Sequence, residues 1–272
     1  MRRTEGPAGC LVLAASLSLL SVGGTSAQSP DAVSNEDVKR FLDPTQLINS
    51  FDYSFQASIL PLGMEAYTHR LSPTWALGHR TAVWAEVPMT HFSSPGEAGS
   101  ASAGDVTLGW GWILHEDLER RLTTSIGAIE VVAPTGSVED GTGSGRFMLQ
   151  PVGAIALNPT DYFPVYLSGQ YTHSFGGSEG EPVRRVELSV ETVHIFPKGF
   201  FVSAVPTFFW DFGRDVEVFS LGLGVGRALS SHFAWSAAYV QHLVGDKTFS
   251  RGFNAGLSFI WGDEKVAPPP TR

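Results

Sequence analysis

Phe51-Asp52-Tyr53-Ser54-Phe55-Gln56-Ala57-Ser58-Ile59 puts an apolar residue at every odd position and a polar one at every even position. A period of two places these sets on opposite faces of a β-strand. Phe253-Asn254-Ala255-Gly256-Leu257-Ser258-Phe259-Ile260-Trp261 does the same, as do the stretches 106–114, 165–171 and 185–194. Twelve such segments start near residues 50, 63, 79, 104, 121, 145, 163, 184, 199, 215, 232 and 251, each about nine to thirteen residues long. At ~3.3 Å per residue and a tilt near 40°, that length crosses an apolar band of ~25 Å. The expectation is an all-β fold: a transmembrane antiparallel up-and-down β-barrel of about 12 strands.

Loop lengths supply a second argument. With the first strand starting on the periplasmic side, the outer loops are 92–103, 134–144, 174–183, 211–215 and 244–250, plus a tight one at 60–63. The inner turns are 71–78, 115–120, 158–162, 197–199 and 228–231. Most outer loops are longer and richer in Gly and Ser, the asymmetry of transmembrane barrels.

Composition agrees. Of 272 residues, 43% are hydrophobic and only 17% charged, with 30 Gly, 18 Phe and 7 Trp. So apolar a chain is not intrinsically disordered. The only cysteine is Cys10, which excludes a disulfide scaffold and a Cys-ligated zinc site. A formal net charge of −9 argues against a nucleic-acid partner.

The N-terminus carries an address. Met1-Arg2-Arg3, the apolar run from Cys10 to Val22 and the small residues ending at Ala27 describe a secretory signal peptide over 1–27. The run is too short for a spanning helix of about 20 residues. Removing Arg2, Arg3 and Glu5 leaves 16 basic against 26 acidic residues and no cysteine. Residues 28–46 form an N-terminal segment with a short helix-like piece from Asn35 to Leu42, ended by Asp43-Pro44. It reads as a solvated linker, with a plug in the lumen as the alternative. The barrel occupies 47–261, and 262–272 is a Pro-rich disordered tail.

Charge fixes the facing. A charge on the lipid face costs up to ~2–4 kcal/mol at mid-depth, so Arg185, Glu187 and Glu191 face the lumen. In the tenth strand Phe219, Leu221, Leu223 and Val225 face lipid, and Ser220, Gly222, Gly224 and Gly226 the interior. Aromatics at the strand ends (Tyr162, Phe163, Phe196, Phe200, Phe233, Trp261) mark the periplasmic interface. Three features fit badly. Pro88, Pro151 and Pro206 fall inside strands of a barrel with no edge to hide them. Glu130 falls on the apolar face of its strand. The ninth segment, 200–211, is apolar on both faces and has no orientation.

With the strands placed, the sequence resembles the outer-membrane proteins named after the meta-pathway of phenol degradation, a family regarded as transporters. The resemblance rests on Gly104-Asp105-Val106-Thr107-Leu108-Gly109-Trp110 opening a strand and Val132-Ala133-Pro134-Thr135-Gly136 closing one. Gly143-Ser144-Gly145, leading into a strand with Pro151, completes it. Ser102 stands where the family usually has the first glycine of Gly-x-Gly-Asp. Read as residues, these motifs are turns, with Gly136, Gly143 and Gly145 supplying positive φ. The resemblance implies a barrel that passes small molecules, hydrophobic or aromatic ones among them, across the outer membrane. It carries over no binding residue.

Other motifs resolve into the barrel pattern. Gly222-Leu-Gly-Val-Gly226-Arg227 brings its third glycine one position too early for a dinucleotide fingerprint, and it reads as an inward glycine row. His173-Ser174 invites a barrel lipid hydrolase, but adjacent residues on a strand point to opposite faces. The eight histidines show no metal-ligand spacing. No enzymatic chemistry, cofactor or metal is expected.

What remains is the lumen: Asp52, Gln56, Trp84, Glu86, Asp105, Gln150, Gln170, Arg185, Glu187, Glu191, Glu217 and Asn254. Acids outnumber the single Arg of this set, which favours cations in a water-filled passage. The reading is an exported outer-membrane channel or transporter whose partners are membrane lipid and a small-molecule solute. The alternatives are a structural or adhesive barrel without transport and a barrel lipid hydrolase. Glu187→Ala or Glu191→Ala is expected to shift the reversal potential of an open pore. Unchanged potentials in both would remove these residues from the lumen wall.

Overall fold

The computed structural model describes residues 33–93, 100–117, 122–177, 181–246 and 249–262. The signal peptide 1–27, the first part of the segment 28–46 and the tail beyond Gly262 lie outside the described residues.

A helix, α1 (Asn35–Leu42), precedes the strands β1 (Ser50–Ile59), β2 (Glu65–Ala76), β3 (Thr81–Ser93), β4 (Ser100–Ala103), β5 (Val106–Glu116) and β6 (Leu122–Ala133). There follow β7 (Phe147–Thr160), β8 (Phe163–Gly176), β9 (Arg184–Ile195), β10 (Phe200–Asp211), β11 (Val216–Ala228), β12 (Phe233–Gly245) and β13 (Arg251–Ile260). All pairings are antiparallel, and β1 pairs with both β13 and β2, which in turn pairs with β3, so the sheet closes. Strands β4 and β5 are two halves of one stave. Met89–Phe92 of β3 pairs with β4, and Thr81–Glu86 pairs with β5. The fold is therefore a closed twelve-strand barrel.

Strand starts fall close to the periodicity, with two differences. Residues 100–103, expected in an outer loop, extend the hairpin as β4. The inner turn expected at 71–78 shrinks because β2 runs through Pro73 to Ala76.

The prolines show how a barrel accommodates them. Pro88 faces the break between β4 and β5, where its carbonyl accepts from the Gly104 N–H at 2.8 Å. Pro151 and Pro206 each pair on one side only, with Ile129 and Leu221. The register toward β8 skips Gln150 and Pro151, and the register toward β9 skips Val205 and Pro206. Each missing N–H thus falls at a local gap in one ladder while the other ladder holds the strand.

Burial orients the ninth segment. Along β10, Phe201, Ser203, Val205, Thr207, Phe209 and Asp211 are buried and point inward, while Val202 and its alternates face out. Both faces are apolar because this stretch of interior is packed. Glu130 also points inward, with Ile126, Ala128 and Val132, so its strand has an apolar interior face and no lipid-facing charge.

The family-like motifs converge on one clasp at the outer mouth. The Asp105 carboxylate accepts from the Gly136 N–H (2.9 Å), the Ser144 N–H (2.7 Å) and the Ser144 hydroxyl (2.6 Å). Thr135 Oγ1 accepts from the Val106 N–H and donates to the Gly104 carbonyl. Thr142 Oγ1 meets Ser102 Oγ at 2.6 Å. Of the three glycines expected at positive φ, only Gly145 (66°) adopts it. Gly136 and Gly143 are required by contact instead: a Cβ on Gly143 would stand 2.4 Å from the Gly136 carbonyl carbon. Asp105→Ala leaves three donors without their acceptor, a loss of about 1.5–3 kcal/mol for each charged bond. It is expected to make the segment 134–146 the first site cut in limited proteolysis of the folded barrel, with the strands staying intact.

Candidate functional site: the barrel interior

The interior has three zones, each positioned by the alternation of the strands. The middle is a polar belt. On β9, Arg185, Glu187, Ser189 and Glu191 point inward, and Leu188, Val190 and His194 outward. Asp52, Gln56, Trp84, Glu86, Gln150, Gln170 and Asn254 stand on the inward faces of their own strands. Gln150 Nε2 donates to Thr172 Oγ1 (2.9 Å), and Arg185 Nε donates to the same oxygen (3.3 Å), which ties β7, β8 and β9 together. The Trp84 indole N–H donates to Glu130 Oε1 at 2.9 Å. Its ring covers Gly109 and Gly111, where a Cβ would approach the ring to 2.0 Å and 2.9 Å. Arg70 Nε lies 3.4 Å from Glu86 Oε1. Strands β2 and β9 are six staves apart in a ring of twelve, so Arg70 and Glu187 face each other across the interior, and the Arg70 charge acts on Glu187.

Two expected lining residues stand elsewhere. Glu217 is exposed on the outward side of β11, opposite in sense to the buried Val218 and Ser220. It sits at the outer end of the strand, where its N–H donates to Asp246 Oδ2 (3.1 Å) and lipid headgroups replace hydrocarbon. Asp105 belongs to the clasp, with its carboxylate engaged by the loop 134–146. Sequence reading missed Arg70 and Glu130. Arg70 follows Ala66 and Thr68 in strict alternation, a signal hidden by assigning 71–78 to a turn. Glu130 stood out as a charge on an apolar face, but both faces of β6 carry apolar residues, so its inward direction was not legible.

At the short-turn end the interior is filled by α1. Ser34 and Asp37 cap its first turn reciprocally, the Asp37 N–H donating to Ser34 Oγ (3.1 Å) and the Ser34 N–H to Asp37 Oδ2 (2.8 Å). Val38, Phe41 and Leu42 share one helical face. Val38, 0% exposed, packs against Ala156, Tyr166, Val193, Ile195, Phe201, Ala228 and Ala234, all at the short-turn ends of their strands. Burying such a side chain contributes roughly 1.5–3 kcal/mol. At the outer end Phe209, Val218, Val240 and Ala66 form a second apolar cluster with Leu60 and Phe249 of the loops.

His173 and Ser174, weighed as a hydrolytic pair, point outward and inward respectively. Ser174 Oγ accepts from the Val183 N–H (2.9 Å) and so closes a hairpin.

Fold and interior together define a β-barrel of the outer-membrane type. An outer membrane channel from Pseudomonas putida F1 superposes with a TM-score of 0.65 at 13% identity, covering 80% of this chain and 98% of that one. The KdgM porin (TM-score 0.53, 11% identity) and the NanC porin (0.54, 10%) each cover 78% of this chain and 99% and 100% of their own. No family model and no curated protein matches the sequence. The likeness is one of fold.

The carboxyl of Asp43, at the C-terminus of α1, is held above the ordinary aspartate range by burial, against the hydrogen bonds of Thr45. The docked helix therefore binds this proton more tightly than a released one. Docking is strongest in acid and weakens as pH rises from the ordinary aspartate value through the raised one. Hydrogen exchange of the α1 amides, corrected for its intrinsic pH dependence, is expected to show protection falling over that window. Asp43→Asn is expected to flatten the slope.

Proposed function

We propose that this chain is a bacterial outer-membrane channel for small solutes, with its signal peptide removed after Ala27 and α1 seated as a plug in the periplasmic end of the lumen. The observation that carries this reading is the polar belt itself. Inside a closed barrel of twelve strands, Asp52, Glu86, Gln150, Gln170, Arg185, Glu187 and Glu191 face a common interior, the polar lining that a solute passage requires. The similarity in fold to an outer membrane channel and two porins supports the same reading. One KdgM porin structure holds disordered oligogalacturonate, so a barrel of this general shape accommodates an extended polar solute.

This interior is of mixed character. Its belt is charged, but Phe201, Phe209, Val205 and Tyr166 line the approaches on either side. That alternation suits small amphipathic or aromatic molecules better than long anionic chains. It agrees with the expectation from the phenol meta-pathway family. The chemistry is passage, with no bond made or broken.

The test is single-channel conductance of refolded residues 28–272 in a planar bilayer, folding being verified by the slower migration of boiled protein. Discrete ohmic steps are expected, larger or more frequent in Val38→Asp, whose buried carboxylate drives α1 out of its seat. Silence in both proteins would overturn the channel reading and leave a structural barrel closed from within. Equal conductance in both would overturn the assignment of α1 as the plug.

A further inference from the structure

The membrane-facing surface is not uniformly convex. Between β8 and β13 runs a groove of about 490 Å³ lined by Val202, Leu223, Tyr239 and His194, with Ala204, Gly224 and Ala237 forming its floor. The floor is low because small residues stand where neighbouring rows carry large ones. Ala204 pairs across to Leu223, and Leu223 to Tyr239, while one row nearer the periplasm Val202 pairs to Val225, and Val225 to Ala237. A groove of this kind, on a surface already solvated by hydrocarbon, fits a chain held in one place.

The next row toward the periplasm names the other half of the ligand. It reads Phe200, Arg227 and Trp235, paired in that order, so a cation stands in the middle of the aromatic girdle directly below the groove. The Arg227 guanidinium carbon lies 4.6 Å from the Phe200 ring centroid, and Arg227 Nε donates to the Lys198 carbonyl at 3.2 Å. This anchors the guanidinium at the rim. Lys198 itself is exposed, at φ 66° on the turn between β9 and β10, which brings a second cation to the same rim. Asp161 is exposed on the turn ahead of Phe163, two residues from the groove lining. Cations at the interface, apolar surface behind them and aromatic rings between are the arrangement that retains an anionic lipid.

We propose that the groove and the Arg227–Lys198 rim form a binding site for one anionic phospholipid of the periplasmic leaflet. An acyl chain lies along Ala204, Gly224 and Ala237, and the phosphate meets the two cations. The site depends on the barrel sitting in a membrane and is independent of whether the lumen conducts.

The test is native mass spectrometry of the refolded barrel in detergent, titrated with palmitoyl-oleoyl phosphatidylglycerol or with phosphatidylcholine bearing the same chains. One retained phosphatidylglycerol per barrel is expected, in preference to phosphatidylcholine. Its retention is expected to fall about fivefold in Arg227→Gln and about fivefold again when Lys198→Gln is added. Arg227→Lys is expected to keep most of it, and Arg251→Gln, at the outer rim, all of it. Ala237→Leu fills the floor and is expected to weaken both lipids. Heat-modifiable migration verifies that each variant folds. Equal retention of the two lipids, or no loss in Arg227→Gln, overturns the proposal. So does a barrel dimer that Ala237→Leu dissociates, which would make the groove a seat for a second copy.

Discussion

Closure of the hydrogen-bond ladder governs the structure. In hydrocarbon an unpaired backbone N–H or C=O costs several kcal/mol, so the strands must leave no edge. Here the ring shuts where β1 joins β13 and β2 joins β3. With Cys10 as the single cysteine, no disulfide can form within the chain, and these pairings and side-chain packing hold the ring shut. Every deviation from regular pairing must therefore be absorbed without opening it. The break at Gly104-Asp105 is spanned by Pro88 on one side and by Asp105, Thr135 and Ser144 on the other. The gaps at Pro151 and Pro206 lie on one ladder each and are separated by whole strands. A proline costs one rung here and never two facing ones.

That constraint explains which parts of the molecule were legible in the sequence. Strand positions were legible because membrane depth and pleat fix both the length and the period of each segment. The facing of β9 was legible because Arg185, Glu187 and Glu191 have one affordable side. Legibility failed wherever both sides of a strand are apolar. In 200–211 the alternation is silent, because the interior beside Phe201 is packed by α1 and that beside Phe209 by loop residues from far along the chain, and around Glu130 both faces are apolar. The glycines of the clasp show the same limit. Positive φ was the local reason to expect Gly143, but the actual reason is the approach of a segment closed only by tertiary structure. Glu217 was misplaced for a different cause: alternation assigns a face but not a depth, and near the headgroups the outward face accepts a carboxylate.

The interior is built as much from chain ends and loops as from staves. A barrel of twelve strands is too wide for side chains alone to fill and too narrow to guarantee a water channel. Two devices take up the difference. The short amphipathic helix occupies the short-turn end, and the apolar cluster around Phe209 and Phe249 crowds the outer end. The helix is seated by side-chain packing alone, whereas the outer cluster is made of strand residues of the wall joined by Leu60 and Phe249 of the loops. The capping box and the buried Val38 give α1 a defined seat, and one helix of eight residues has little stability away from it.

The charge of the belt also differs from the count of its acids. An excess of carboxylates over one arginine suggests a strongly cation-attracting passage, but pairing reduces what a passing ion meets. Glu86 shares its field with Arg70, Glu130 is held by Trp84, and Asp52 accepts from Ser50 at 3.0 Å. Arg185 balances Glu187 two residues along the same strand, while Arg70 reaches toward it from the opposite wall. Arg70 and Arg185 thus offset part of the negative charge that Asp52, Glu86, Glu130, Glu187 and Glu191 bring to the interior. A ring of one sign selects by charge; two arginines among these five carboxylates weaken that selection without reversing it. The apolar clusters above and below the belt complete the interior and keep the charged groups between two packed ends.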